Sequence, residues 1–223
     1  MPLNKQKLMY KLACLFIVLT ITSCMSTKLI ESWKNPDYQT FTPKNVLVIG
    51  VTPDFDARSA FEFKLKSELN ARKIIALQSA VVFETSFTDS KQTEADIEKQ
   101  LNLLRSKGYD AILVSVVKGV ENNQSYASES SKTDYHLRRF SPYYLLYQDA
   151  YFNQNYYNSY RVFHIETSLY SLKSNEIKSL VWSGNYDIVD PNNATKTIDG
   201  YVKAIIKSLE KEKIIPKKRS YLN

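Results

Sequence analysis

At 223 residues the chain is long enough for one well-packed domain, and no internal repeat divides it. Its 43% hydrophobic and 24% charged content lies near the globular average, which excludes a disordered or collagen-like chain. The formal charge of +7 weakens once position is considered. Without Lys5, Lys7 and Lys11 of the first segment, the excess of 30 basic over 23 acidic side chains falls to about +4, partly gathered in a tail around Lys217, Lys218 and Arg219, which is too little to argue for nucleic acid.

The amino terminus carries the strongest signal. Those three lysines precede an uncharged, mostly apolar run over residues 12–21 that gives way to Thr22, Ser23 and Cys24. This is the layout of an export signal. A run of this length is roughly half of the ~20 apolar residues a spanning helix needs. Ile21-Thr22-Ser23-Cys24 resembles the lipobox of bacterial lipoproteins, which implies cleavage between Ser23 and Cys24, removal of residues 1–23, and acylation of Cys24. Cys14 leaves with the signal, so the mature chain keeps one cysteine and forms no internal disulfide. Several acyl chains on one residue give a stable membrane anchor. No aspartate follows Cys24, which by the same resemblance favours the outer membrane, facing the periplasm.

The remaining elements follow in chain order. Residues 24–44 are polar, with Pro36 and Pro43, and read as a tether and arm whose Trp33 and Tyr38 pack back on the domain edge. Residues 45–51 form a continuous β-branched run, expected as a strand covered on both faces. Pro53 and Asp54 break it, and Asp56 is a candidate cap for a helix over 57–72. That helix buries Phe61, Leu65 and Leu69, with Glu62–Lys66 and Glu68–Arg72 as outward pairs. Residues 74–83 predict a second strand bending near Gln78 and Ser79. A second helix spans 94–107, capped by Thr93, stopped by Gly108, and buries Ile97, Leu101 and Leu104. A third strand covers 109–120.

Residues 122–159 are an insert, first polar and loop-like, then rich in tyrosine: eight tyrosines and two phenylalanines fall within 135–160. Residues 161–171 alternate as a strand, with Phe163, Ile165, Thr167 and Leu169 on one face and His164, Glu166 and Tyr170 on the other. A turn near 173–176 and a strand over 180–189 complete a hairpin. Asp190 and Pro191 open a last helix carrying Ile198, Val202, Ile205 and Leu209, and residues 216–223 are a basic tail. The order β-α-β-α-β-insert-β-β-α predicts a single α/β (α+β) domain over 45–215. Its mixed sheet has about five strands with three packing helices, parallel in its first half and antiparallel in its second.

Three stretches carry a resemblance: NVLVIGV with the Phe61 helix, GYDAILVSVV, and LYSLKSNEIKSLVWSG ahead of an amphipathic helix. Together they resemble small bacterial outer-membrane lipoproteins and, more distantly, periplasmic α/β domains of the TolB amino-terminal, CsgG and LpoB type. The resemblance implies a role in assembly, secretion or regulation of envelope machines, and supplies no catalytic residues.

Chemistry is sparse. His136 and His164 stand apart, with no metal-ligand spacing, and the glycines at 50, 108, 119, 184 and 200 are not spaced for a phosphate cradle, so no metal or cofactor is expected. Ser183-Gly184 lacks the strained turn of a serine nucleophile. Two functional readings result. The first is a non-catalytic accessory or docking subunit of an envelope assembly, meeting a protein partner through Tyr143, Tyr144, Tyr147, Tyr151, Tyr156 and Tyr157; tyrosine offers large contact area with a polar tip. Those rings also suit the plainer task of covering the sheet. The second reading is a hydrolase or transferase acting on envelope glycan or peptide through His164 and Glu166, set against an exposed polar strand face.

Overall fold

The computed structural model describes residues 27–84, 87–88, 90–121, 139–148, 162–173, 179–189 and 194–218. Six strands form one mixed sheet: β1 (Thr27–Lys34), β2 (Asn45–Val51), β3 (Ile75–Gln78), β4 (Ala111–Glu121), β5 (Val162–Ser171) and β6 (Leu180–Val189), in spatial order β1-β6-β5-β4-β2-β3. β2 runs parallel to β3 and β4, while the pairs β4–β5, β5–β6 and β6–β1 are antiparallel. The expected mixed sheet is therefore present, one strand wider than the sequence suggested.

The extra strand is β1, where the sequence read as a tether. It pairs with β6 from Thr27 opposite Ile188 to Lys34 opposite Trp182, and its register shifts between Leu29 and Glu31. That irregularity breaks the alternation of apolar and polar residues by which a half-buried edge strand is recognised. Asn35 then closes the corner: its side chain donates to the Leu180 carbonyl (3.0 Å) and accepts from the Asp37 amide (3.0 Å). Tyr38 packs on the core as expected, whereas Trp33 does not join it and remains 39% exposed.

Helices cover both faces. On one side α1 (Phe55–Asn70) and α5 (Ala194–Lys211) bury Phe61, Leu65, Leu69, Val202 and Ile205 against Val46, Val48, Leu113, Leu169 and Trp182. On the other, α3 (Glu94–Ser106) sets Ile97, Leu101 and Leu104 against Leu47, Ile49, Ile112 and Val114. Alternate residues of β2 and β4 thus enter two separate cores, which is why both strands read as unbroken apolar runs. Thr93 caps α3 in a reciprocal box with Asp96, and Gly108 beyond its end takes φ +82°, a conformation that a Cβ would strain.

Local expectations are corrected in three places. The α1 cap is Asp54, whose carboxylate accepts from the Ala57 amide at 2.9 Å, and not Asp56. The strand expected over 74–83 stops at Gln78, and a short helix α2 (Ser79–Val82) follows. Glu62 does not face solvent beside Lys66. It is 1% exposed and accepts from the Gly50 amide (2.9 Å), the Ser79 amide (2.9 Å) and the Ser79 hydroxyl (2.7 Å). Burial pushes its carboxyl up, against the pull of those bonds. The Glu68–Arg72 pair does form, at 2.7 Å, and Arg72 reaches on to Glu210 of α5 at 2.8 Å.

Candidate functional site

Within the tyrosine-rich segment, Phe140–Tyr147 forms helix α4, with Pro142 in its first turn where a missing amide costs nothing. The helix turns its rings inward. Tyr143 and Tyr144 are 0% and 2% exposed, and with Phe140 they complete the α3-side core against Phe87 and Tyr170. Ring centroids lie 5.6 Å apart for Tyr143–Tyr170 and for Phe87–Tyr144. These two tyrosines are thus withdrawn from any docking surface, while Tyr147 is half-buried at its edge. Tyr151, Tyr156 and Tyr157 lie outside the described residues, as do Ser23, Cys24 and His136.

The polar pair of β5 is likewise not an exposed face. Glu166 is 5% exposed, receives the Lys118 ammonium at 2.9 Å, and accepts from the Ser168 hydroxyl at 3.2 Å. Desolvation depresses the Lys118 ammonium, but the charge and hydrogen bond of Glu166, joined by Tyr147, together outweigh it and hold Lys118 above its ordinary value. Burial, and then that same carboxylate, push the Tyr143 and Tyr170 phenols well above theirs, so both stay protonated. His164 projects from the same face two residues away, but its Nδ1 meets Asp187 at 2.6 Å. Glu166 and His164 therefore belong to two separate pairs, each bridging neighbouring strands. Among the described residues no group of three or more His, Cys, Asp or Glu side chains could hold a metal ion.

Sequence reasoning missed a different site. On the opposite face, between the first turns of α1 and α5, lies a pocket of about 280 Å³ above the carboxyl ends of β2 and β4. Its walls are mostly apolar and include Phe61, Phe163, Ile165, Ile188 and Ile198. Ser115 and Tyr201 also line it, as part of a buried hydroxyl cluster. Ser115 Oγ and Thr167 Oγ1 are 2.9 Å apart, the Tyr201 hydroxyl donates to Ser115 Oγ at 3.2 Å, and Tyr201 also bonds Thr167. Burial raises the Tyr201 phenol, while Ser115 and Thr167 pull the other way. Because the three hydroxyls satisfy one another, they ask nothing of a ligand. Their signal in the sequence is Ser115 interrupting an apolar strand and Thr167 on the core side of β5, since a buried polar residue is the informative kind. A second, more polar cavity of about 340 Å³ lies beside α3 and α4; there Arg139 pairs with Glu98 at 3.1 Å, and Arg105 donates to the Leu172 carbonyl (3.1 Å) and to Asn102 (2.8 Å).

Some solved structures are distantly similar to the chain. A PelC dodecamer subunit from Paraburkholderia phytofirmans is similar at 11% identity, over 86% of this chain and 99% of that one, with a TM-score of 0.43. The lipoprotein GNA1162 from Neisseria meningitidis is similar at 15% identity, over 76% and 99% of the two chains, with a TM-score of 0.39. Likenesses this distant carry no function across. No protein-family model matches the chain, and no curated protein matches it.

Proposed function

We propose that the protein is a lipid-anchored component of the bacterial envelope, held at a membrane through Cys24, and that it acts there as a non-catalytic accessory or docking subunit. The observation that carries this reading is the junction itself. A short apolar run behind three lysines ends in Ile21-Thr22-Ser23-Cys24, and β1 includes Thr27, three positions after the cysteine. Among the described residues no helix is long and apolar enough to cross a membrane, so the attachment proposed is covalent lipid. A docking role is supported by the way the acid–base groups of β4, β5 and β6 are engaged, in strand-bridging pairs and not around an attacking group. Outer-membrane placement facing the periplasm, with a protein partner meeting Tyr147, Tyr151, Tyr156 and Tyr157, completes the proposal.

Intact-mass analysis of the chain isolated from its own host tests the anchor. A start at Cys24 with added acyl mass is expected, together with release from the membrane fraction in Cys24→Ala. An unmodified Cys24, or a start elsewhere, overturns the reading. The docking contact is tested by replacing Tyr151, Tyr156 and Tyr157 with serine. Loss of the cellular phenotype is expected with membrane attachment and melting unchanged, whereas an intact phenotype removes those tyrosines from the contact.

A further inference from the structure

We infer that the pocket between the first turns of α1 and α5 receives an acyl chain carried by Cys24 of the same molecule. This rests on the reading of Cys24 as lipidated, and three observations carry it further.

The first is position. β6 runs parallel to β2 and β4, so one end of the sheet gathers the carboxyl ends of all three strands, the start of β5 and the first turns of α1 and α5. β1 begins at this same end. Thr27 pairs with Ile188, which lines the pocket, and its side chain lies against Gly200 of α5, beside the lining residues Thr197, Ile198 and Tyr201.

The second is reach. Thr27 stands three positions after Cys24, and an extended chain covers at most ~3.6 Å per residue, so the backbone allows no more than roughly 11 Å between the two Cα atoms. A chain bonded there is held at the pocket mouth at the high effective concentration of a short tether.

The third is chemistry. The walls are mostly aromatic and aliphatic, the Ser115 and Tyr201 hydroxyls among them are paired with each other, and the Thr52 hydroxyl accepts from the Asp54 amide at 3.3 Å. The charged lining residues serve the start of α1: Asp54 caps it, and the Arg58 guanidinium lies 5.3 Å from the centre of the Phe55 ring. Nothing on the walls requires a polar headgroup. At about 280 Å³ the space suits part of one hydrocarbon chain and not a whole two-tailed lipid. Filling it takes those walls out of water, whether the chain comes from water or from a bilayer.

The test uses the full acylated protein. Cells are fed a diazirine-bearing palmitate analogue, their membranes are irradiated, and peptides cross-linked to the Cys24 acyl group are mapped by mass spectrometry. In a second arm, unlabelled acylated protein is placed in phosphatidylethanolamine–phosphatidylglycerol vesicles that contain a diazirine phospholipid. Cross-links from the Cys24 chain to peptides containing Phe61, Phe163 or Ile198 are expected. Ile198→Trp, which fills the pocket, should lower their yield by roughly tenfold or more, because the tethered chain then has no space to enter, while Ile75→Trp on exposed β3 should not. Pocket cross-links from the phospholipid arm alone, or none in the pocket from either arm, overturn the proposal while leaving the anchor intact. Absence of acyl mass on Cys24 would remove the anchor reading itself. The wild-type map decides the matter even if the tryptophan variant folds poorly.

Discussion

Glu62 shows how far a single residue can depart from what its neighbours in sequence suggest. One position along from the buried stripe of α1, with Lys66 four residues on, it has the spacing of a solvent pair; its burial depends on Ser79 and Gly50, which the sequence does not place beside it. Glu62→Gln turns a carboxylate that only accepts into an amide that must aim a donor at an N–H, and should cost about 1–3 kcal/mol by denaturant melting. The pH dependence has a definite sign. Folding raises this carboxyl above its reference value of 4.5, so the native state keeps the proton longer, and stability falls as pH rises from the unfolded toward the folded value. Glu62→Gln should lack that slope. Gly184 has a simpler constraint: a Cβ there would sit 2.7 Å from the Trp182 indole, which is fully buried and has nowhere to go. Gly184→Ala should destabilise by about 1–3 kcal/mol, and less in a Trp182→Phe background. Lys118→Met strands the Glu166 carboxylate and should cost about 2–3 kcal/mol, short of a fully buried pair because Lys118 is partly exposed, and Lys118→Met with Glu166→Leu should recover much of it.

Among the elements, those with two independent signals were the legible ones. α3 had a cap, a stop and a stripe, and all three are where the spacing put them. Leu101→Asp should therefore lower stability by about 4 kcal/mol or more, as it would bury a carboxylate with no partner against Ile112 and Val114; near-wild-type thermal melting would put the stripe on another face. The orientation of α4 was not legible. Six of its eight residues are aromatic or leucine, so periodicity cannot say which rings point inward, and Tyr143 and Tyr144 proved to be core. β1 escaped altogether, because a polar edge strand with a register shift has neither an apolar run nor a clean alternation. The pocket was equally hidden: its lining comes from β2, β4, β5, β6, α1 and α5, and only the folded sheet brings these together.

At the scale of the whole molecule, the two ends of the sheet differ. One carries Thr27, the α1 amino terminus with the exposed ring of Phe55, and the pocket; the other carries Gly108, the end of α5, and Lys213 and Lys217 beyond it. For the proposed anchored form this sets an orientation. Spin labels at Phe55→Cys and Lys213→Cys should report the lipid interface and bulk water respectively, and a flexible spacer of about 15 residues inserted after Ser26 should erase the contrast without shifting the melting temperature. The sheet also sets an order of events. Thr27 can pair only with Ile188, close to the far end of the chain. In an exported polypeptide the first strand must wait, extended and unpaired, until nearly everything behind it has crossed. For the proposed lipoprotein, the neighbouring junction would stay open throughout that interval to the enzymes that modify and cut it, and the late arrival of β6 would then close the sheet over a terminus already finished.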